Sequence, residues 1–147
     1  MFDQNLIGRT GNERFYDIER SQLRLFCQAI GETNPIFWDK AAAVAAGYPD
    51  CPLTPSFGVS LNRLAPEDGN LILDVFGADY GRRMHAEQSF EYHRPLYAGD
   101  RVRLLSKVGD IYHKKGGALE FAVIETTIYN QQGQLCITTR MTVVLRH

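Results

Sequence analysis

The sequence predicts an α+β fold, with helices in the first half of the chain and an antiparallel sheet in the second. Three observations carry that expectation. Leu23, Phe26, Cys27 and Ile30 recur at i, i+3, i+4 and i+7, the period of a helix with one buried stripe. After Pro66 the texture changes to short β-rich runs separated by polar turns. The 147 residues hold no repeat, linker or low-complexity stretch, so residues 1–147 read as one domain, long enough to bury about two thirds of its unfolded surface.

In chain order, "GRTGNERFYD" is a candidate amino-terminal strand. The first helix runs from Asp17 to Ile30, with Asp17 or Ser21 as its cap. Gly31 stands at the left-handed position that ends helices, and Pro35 drives Asn34 towards an extended conformation. The connection is therefore a shaped loop. Asp39 caps a short second helix, "KAAAVAA", and Gly47 stops it. In "YPDCPLTP", Thr54 is placed as a cap and Pro55 at the first helical position of a third helix, "SFGVSLNRLA". Gly58 and Ser60 let another backbone approach that helix, while Phe57, Val59, Leu61 and Leu64 supply apolar surface, so it is expected to lie buried on a curved sheet. The sheet is drawn from "NLILDVF", "MHAEQSFEYHRPL", "RVRLLSKVGDIYH", "ALEFAVIETTIYN" and "QLCITTRMTVVLR", with "YAGD", "KKGG" and "NQQG" as the turns of an antiparallel meander.

Composition narrows the function. Sixteen basic and seventeen acidic residues give a net charge of -1, which provides no bulk attraction to nucleic acid or to anionic membranes. Cys27, Cys51 and Cys136 form no C-x-x-C and suit a reducing compartment. The amino terminus lacks the features of a signal peptide and no apolar run reaches membrane-spanning length, so a soluble cytoplasmic protein is expected. No G-x-S-x-G or recognisable cysteine-nucleophile motif occurs.

Three blocks, "AIGETNPIFWDKAAAVAAGY", "PLTPSFG" and "HAEQSFEYHRPLYAGD", resemble in order the MaoC-like dehydratases, in particular their amino-terminal dehydratase type, and the likeness covers nearly the whole chain. The resemblance implies a single hot-dog fold, an antiparallel sheet wrapped around a central helix. It also implies an (R)-specific hydratase or dehydratase acting on an acyl thioester of coenzyme A or acyl carrier protein, without metal or cofactor, in a homodimer or a heterodimer with a second hot-dog subunit. Active members read Gly-Asp-x-Asn-Pro-(Leu/Ile)-His in the first block. Here Gly31, Asn34, Pro35, Ile36 and, further on, Ala43 match the family pattern, but Glu32 stands at the Asp position and Phe37 at the His position. Water addition to an unsaturated thioester needs a base, a proton for Cα and a polarised carbonyl, and a phenyl ring supplies none of them. The second block implies that backbone N–H groups at Ser56, Phe57 and Gly58, following Pro55, face the thioester carbonyl.

Each candidate also has a plainer role. Glu32 is either a base or a loop former, and Asn34, placed in the catalytic set, is equally a turn residue. Phe37 and Trp38 either line an acyl pocket or anchor the loop. Along "HAEQSFEYH", residues 85, 87, 89, 91 and 93 alternate onto one face, but about 26 Å separates the two histidines, too far for a shared metal. His85 remains a candidate replacement for the missing imidazole. "HKKGG" reads as a wet hairpin tip. Two functions follow: a hydratase or dehydratase subunit, or a catalytically silent acyl-thioester-binding subunit whose partner carries the intact Asp and His.

Overall fold

Five strands form one antiparallel sheet: β1 (Arg14–Asp17), β2 (Met84–Tyr92), β3 (Arg101–Lys114), β4 (Leu119–Tyr129) and β5 (Leu135–Arg146), in the order β1-β3-β4-β5-β2. The chain is seen in a computed structural model, which describes residues 2–65, 71, 75 and 77–147. β3, β4 and β5 make the expected meander, joined by the tips around Gly116 and Gly133, both at positive φ. β2 departs from it. It pairs with β5 rather than with β3, so "YAGD" is not a hairpin but part of a connection that carries the chain from one side of the sheet to the other. The strand expected over "NLILDVF" lies mostly outside the described residues. Its two described members, Leu71 and Val75, have helical backbone and are buried.

β4 alternates buried and half-buried residues along its whole length, with 120, 122, 124, 126 and 128 turned to the core. Register carries this face across the sheet: Ile128 pairs with Ile137, Thr126 with Thr139 and Ala122 with Val143. Three helices accompany the sheet: α1 (Arg20–Ile30), α2 (Lys40–Ala45) and α3 (Gly58–Leu64). Phe57 and Leu61 of the third segment join Val102, Leu104, Ile128 and Ile137 in one apolar cluster, so α3 sits on the sheet as the sequence predicts. The Phe57 ring meets Phe26 of α1 edge to face, with centroids 5.2 Å apart.

Glu19, not Asp17 or Ser21, is the N-cap of α1 and makes no side-chain cap bond; Asp17 lies in β1 opposite Arg101, and Ser21 is already inside the helix. Of the predicted stripe, Leu23 and Cys27 are buried and Phe26 packs against the core, but Ile30 is exposed at the helix end. Gly31 takes the left-handed conformation (φ 74°), and the N–H of Glu32 returns to the Cys27 carbonyl at 2.9 Å, a Schellman closure. Asp39 caps α2 through the N–H groups of Ala41 and Ala42. α3 starts later than predicted, at Gly58. Residues 55–57 form a turn closed by Phe57 N–H to the Thr54 carbonyl at 3.0 Å, and the buried Thr54 hydroxyl has no partner among the described residues rather than serving as a cap.

Candidate functional site

The loop between α1 and α2 is shaped by its own side chains. One carboxylate oxygen of Glu32 accepts the Asn34 N–H at 2.8 Å, and the Asn34 side-chain oxygen accepts the Ile36 N–H at 3.2 Å. Pro35 to Phe37 close one 3-10 turn, after which Asp39 begins α2. These i to i+2 bonds are the turn-forming habit of short polar side chains, extended by one methylene at Glu32. Phe37 and Trp38 are half-buried and neither belongs to the core clusters. Trp38 instead carries the Arg24 guanidinium 5.5 Å above its ring.

His85 lies elsewhere in the fold. It is exposed near the start of β2, opposite Val143, with a ring nitrogen 3.1 Å from the Glu87 carbonyl oxygen. A bulge between His85 and Glu87 turns His85 to the face opposite that of Glu87, and His93 falls beyond the strand end. The single face expected for residues 85 to 93 is therefore broken. Among the described residues no hydrogen bond or ion pair joins His85 to Glu32.

The turn into α3 brings three candidates together. The Phe57 N–H is used by Thr54, but those of Ser56 and Gly58 make no hydrogen bond among the described residues. Ser56 and Pro55 are exposed, while Phe57 and Gly58 are buried. Gly58 lies directly on the sheet: a Cβ built there would stand 3.1 and 3.2 Å from two ring carbons of Phe90 and 3.7 Å from the methyl of Thr139. A methyl there would press on the Phe90 ring, which would have to give by a few tenths of an ångström, and this gives the glycine of "PSFG" a packing reason.

Residues that the sequence did not single out hold the last turn of α3. Arg14, 5 % exposed, donates to the Asn62 carbonyl (2.9 Å) and side-chain oxygen (2.8 Å) on α3 and to the Ser106 hydroxyl (3.1 Å) on β3. Burial alone pushes its pKa down, and none of these partners is a carboxylate. Ser106 in turn bonds Thr126 at 2.8 Å. Polar residues at strand positions of core parity were the available signal, but parity needs the register. On the other face of the sheet a hollow of about 200 Å³, lined in part by Lys107, Glu125 and Thr127, is unrelated to this site, and Lys107 there pairs with Glu125 at 2.9 Å.

A five-stranded antiparallel sheet of this order with a helix seated on it is a hot-dog fold. The family model "FAS1-like, dehydratase domain region" matches residues 5–139, and the chain belongs to that family. It is similar to a UPF0336 protein of Saccharopolyspora erythraea (37 % identity, covering 98 % of this chain and 91 % of the relative) and to the UPF0336 protein SCO4636 of Streptomyces coelicolor (34 %, 98 % and 95 %). Among solved structures, one chain of the C-terminally truncated HadBC (3R-hydroxyacyl-ACP dehydratase) complex from Mycobacterium tuberculosis superposes with TM-score 0.78 at 22 % identity, over 95 % of this chain and 96 % of that one. The (R)-hydratase from A. caviae involved in PHA biosynthesis follows at 0.70 and 19 %, over 93 % and 94 %. A MaoC-like dehydratase reaches 0.81 at 25 %, but this chain spans only 43 % of it.

Proposed function

We propose that the protein is a subunit of an acyl-thioester hydratase or dehydratase, holding the thioester of coenzyme A or acyl carrier protein at the turn into α3. Support comes from the unused N–H groups of Ser56 and Gly58, which suit a carbonyl oxygen and need no ionisable side chain. The substrate-facing set is then Pro55, Ser56, Phe57 and Gly58, with Phe37 at the wall, and Glu32, Asn34 and His85 are the catalytic candidates.

A second reading is favoured by one observation: the Glu32 carboxylate is engaged by the Asn34 N–H at 2.8 Å, and a phenyl ring stands where an imidazole would be needed. In this reading the chain binds the acyl thioester, and a second hot-dog subunit supplies the acid and base. Two structural neighbours, HadBC and the ChsH1-ChsH2 complex from Mycobacterium tuberculosis (TM-score 0.71 at 16 % identity), are complexes of two proteins, which supports such an arrangement. Turnover of a short enoyl-CoA and of a 3-hydroxyacyl thioester by the purified chain, alone and with a co-expressed hot-dog neighbour, separates the two. Activity alone supports the first reading, and activity only in the complex supports the second. Neither activity nor thioester binding in any preparation would overturn both.

A further inference from the structure

We propose that the open edge of β2 is a docking strand for a different hot-dog subunit whose own edge carries lysine or arginine, and that it does not pair with its own copy. This gives the partner of the second reading above a place and a chemistry, and rests on that reading only for the partner's fold. Glu87, Ser89 and Glu91 lie opposite Thr142, Arg140 and Thr138 of β5, on the face of the sheet turned away from α3. Both glutamates are exposed, and neither has an ion-pair partner among the described residues; the Glu87 carboxylate takes the Thr142 hydroxyl at 3.5 Å. Arg140, the cation of that row, stands 2.9 Å from Glu125, which Lys107 also reaches at 2.9 Å. The edge is acidic where a further strand would lie.

The other face of β2 carries Phe90 and Tyr92, whose rings stack with centroids 6.0 Å apart, and Tyr92 is 49 % exposed. Acid on one face and aromatic on the other describe the complement: a strand that alternates basic and apolar residues. Register argues against a second copy in that place. An antiparallel pair about a two-fold axis keeps each face of the sheet with itself, so the axis must pass through a residue. Centred on Glu87, that glutamate opposes its own copy. Centred on Ser89, Glu87 opposes Glu91 of the copy twice, and centred on Gln88 it lies diagonal to it twice. Like charges so placed destabilise a strand pair, and a lysine or arginine at the same positions reverses the sign.

The whole chain supplies both kinds of edge for the test. Glu87→Lys with Glu91→Lys puts a basic edge on the same backbone, and because both positions are exposed the melting temperature is expected to hold within a few degrees. Sedimentation at about pH 8, above the ordinary histidine range, and at low salt is expected to find no dimer of the parent alone or of the variant alone. An equimolar mixture should form a heterodimer roughly tenfold tighter or more than either self-association, and weaker at about 0.5 M salt. Hydrogen exchange in that mixture should slow along β2 and not along β1. A parent that dimerises as tightly as the mixture overturns the proposal. So does a mixture that stays monomeric, the glutamates then serving only to keep the edge unpaired. If the lysine variant does not fold, Glu87→Gln with Glu91→Gln keeps the shape without the charge, and should self-associate roughly tenfold more tightly than the parent. Equal self-association of the two would overturn the proposal as well. None of these measurements involves a thioester, so a failure here leaves the acyl-thioester reading standing, and a failure of thioester binding leaves this result standing.

Discussion

At Glu32 the sequence keeps a carboxylate and the fold spends it on a turn. Its bond to the Asn34 N–H is one that an aspartate makes with less strain, since the shorter side chain reaches two residues ahead more readily. Phe37 is half-buried and outside the core clusters, so a histidine there removes little packing. The double variant Glu32→Asp with Phe37→His is therefore expected to keep its melting temperature within a few degrees and to raise hydratase activity on a short enoyl-CoA at least tenfold over the parent. Either change alone should gain far less, because an acid–base pair acts as a unit. A folded double variant that binds acyl-CoA without any gain in turnover would place the loop away from the substrate. A second residue-scale expectation concerns Asp50, which receives Arg20 at 2.8 Å and Lys40 at 3.2 Å. Partial burial opposes its ionisation, but these partners and the Cys51 N–H outweigh it and bring its pKa from 3.8 down to about 2. A depressed carboxylate stabilises the fold above its unfolded value and loses that contribution as pH falls through the folded one. Asp50→Asn should thus lower stability at pH 7 by about 1 to 2 kcal/mol, discounted for the exposed cations, and change little near pH 2. Thermal melts at the two pH values check it.

At the scale of elements, α3 has only seven residues and cannot hold its position by its own hydrogen bonds. It is fixed by Phe57 and Leu61 on the sheet, by the close approach at Gly58, and by Arg14, which clamps Asn62 in its last turn to Ser106 of β3. A guanidinium at the C-terminal half of a helix meets carbonyls that lack intrahelical donors, so a buried cation is tolerated there without a carboxylate. Arg14→Met should cost about 3 kcal/mol, or roughly 10 °C in melting temperature, by stranding the Asn62 and Ser106 oxygens. Arg14→Lys should recover only part of it, because one ammonium cannot bridge both elements as the fork does. Calorimetry of both variants measures the difference, and a neutral Arg14→Met would show that the apolar contacts alone seat the helix.

For the molecule as a whole, the two sheet edges are unequal. β1 is four residues long and is flanked by the Arg101–Asp17 and Arg103–Glu13 pairs, whereas β2 is nine residues long, mostly exposed, and among the described residues paired only to β5. A long open edge is a template for another strand. Sedimentation is expected to find a dimer or larger species, by self-association or with a second hot-dog subunit, and a strict monomer at micromolar concentration in both preparations would contradict this. Acid stability also belongs to this scale. Burial works against ionisation of Glu120, but bonds from His147 at 2.5 Å and from the Phe2 N–H at 2.9 Å hold its pKa below the usual 4.5 and tie both ends of the chain to one end of the sheet. With Glu120 and Asp50 both depressed, their stabilisation is present above their unfolded values and is withdrawn as pH falls through the folded ones, for Asp50 about 2.

The sequence by itself determined what depends on near neighbours along the chain. The stripe of Leu23, Phe26 and Cys27, the left-handed Gly31, the extended Asn34 before Pro35, the cap at Asp39, and the strands from Arg101 to Arg146 are local signals, and each appears where it was read. The likeness of three blocks to the MaoC-like dehydratases carried the fold beyond those signals, because a motif in order encodes a topology that periodicity does not. What only the tertiary structure decided depends on pairing between distant segments. The placement of β2 beside β5 rather than β3, the bulge that turns His85 away from Glu87, and the late start of α3 follow from register and from the sheet pressing on Gly58, where Phe90 and Thr139 come from strands 32 and 81 residues further on. Arg14, Thr126 and Thr139 look like ordinary strand polar residues until the register turns them inward. Inside, each must find a partner or go without, and that is a property of the assembled sheet rather than of any stretch of sequence.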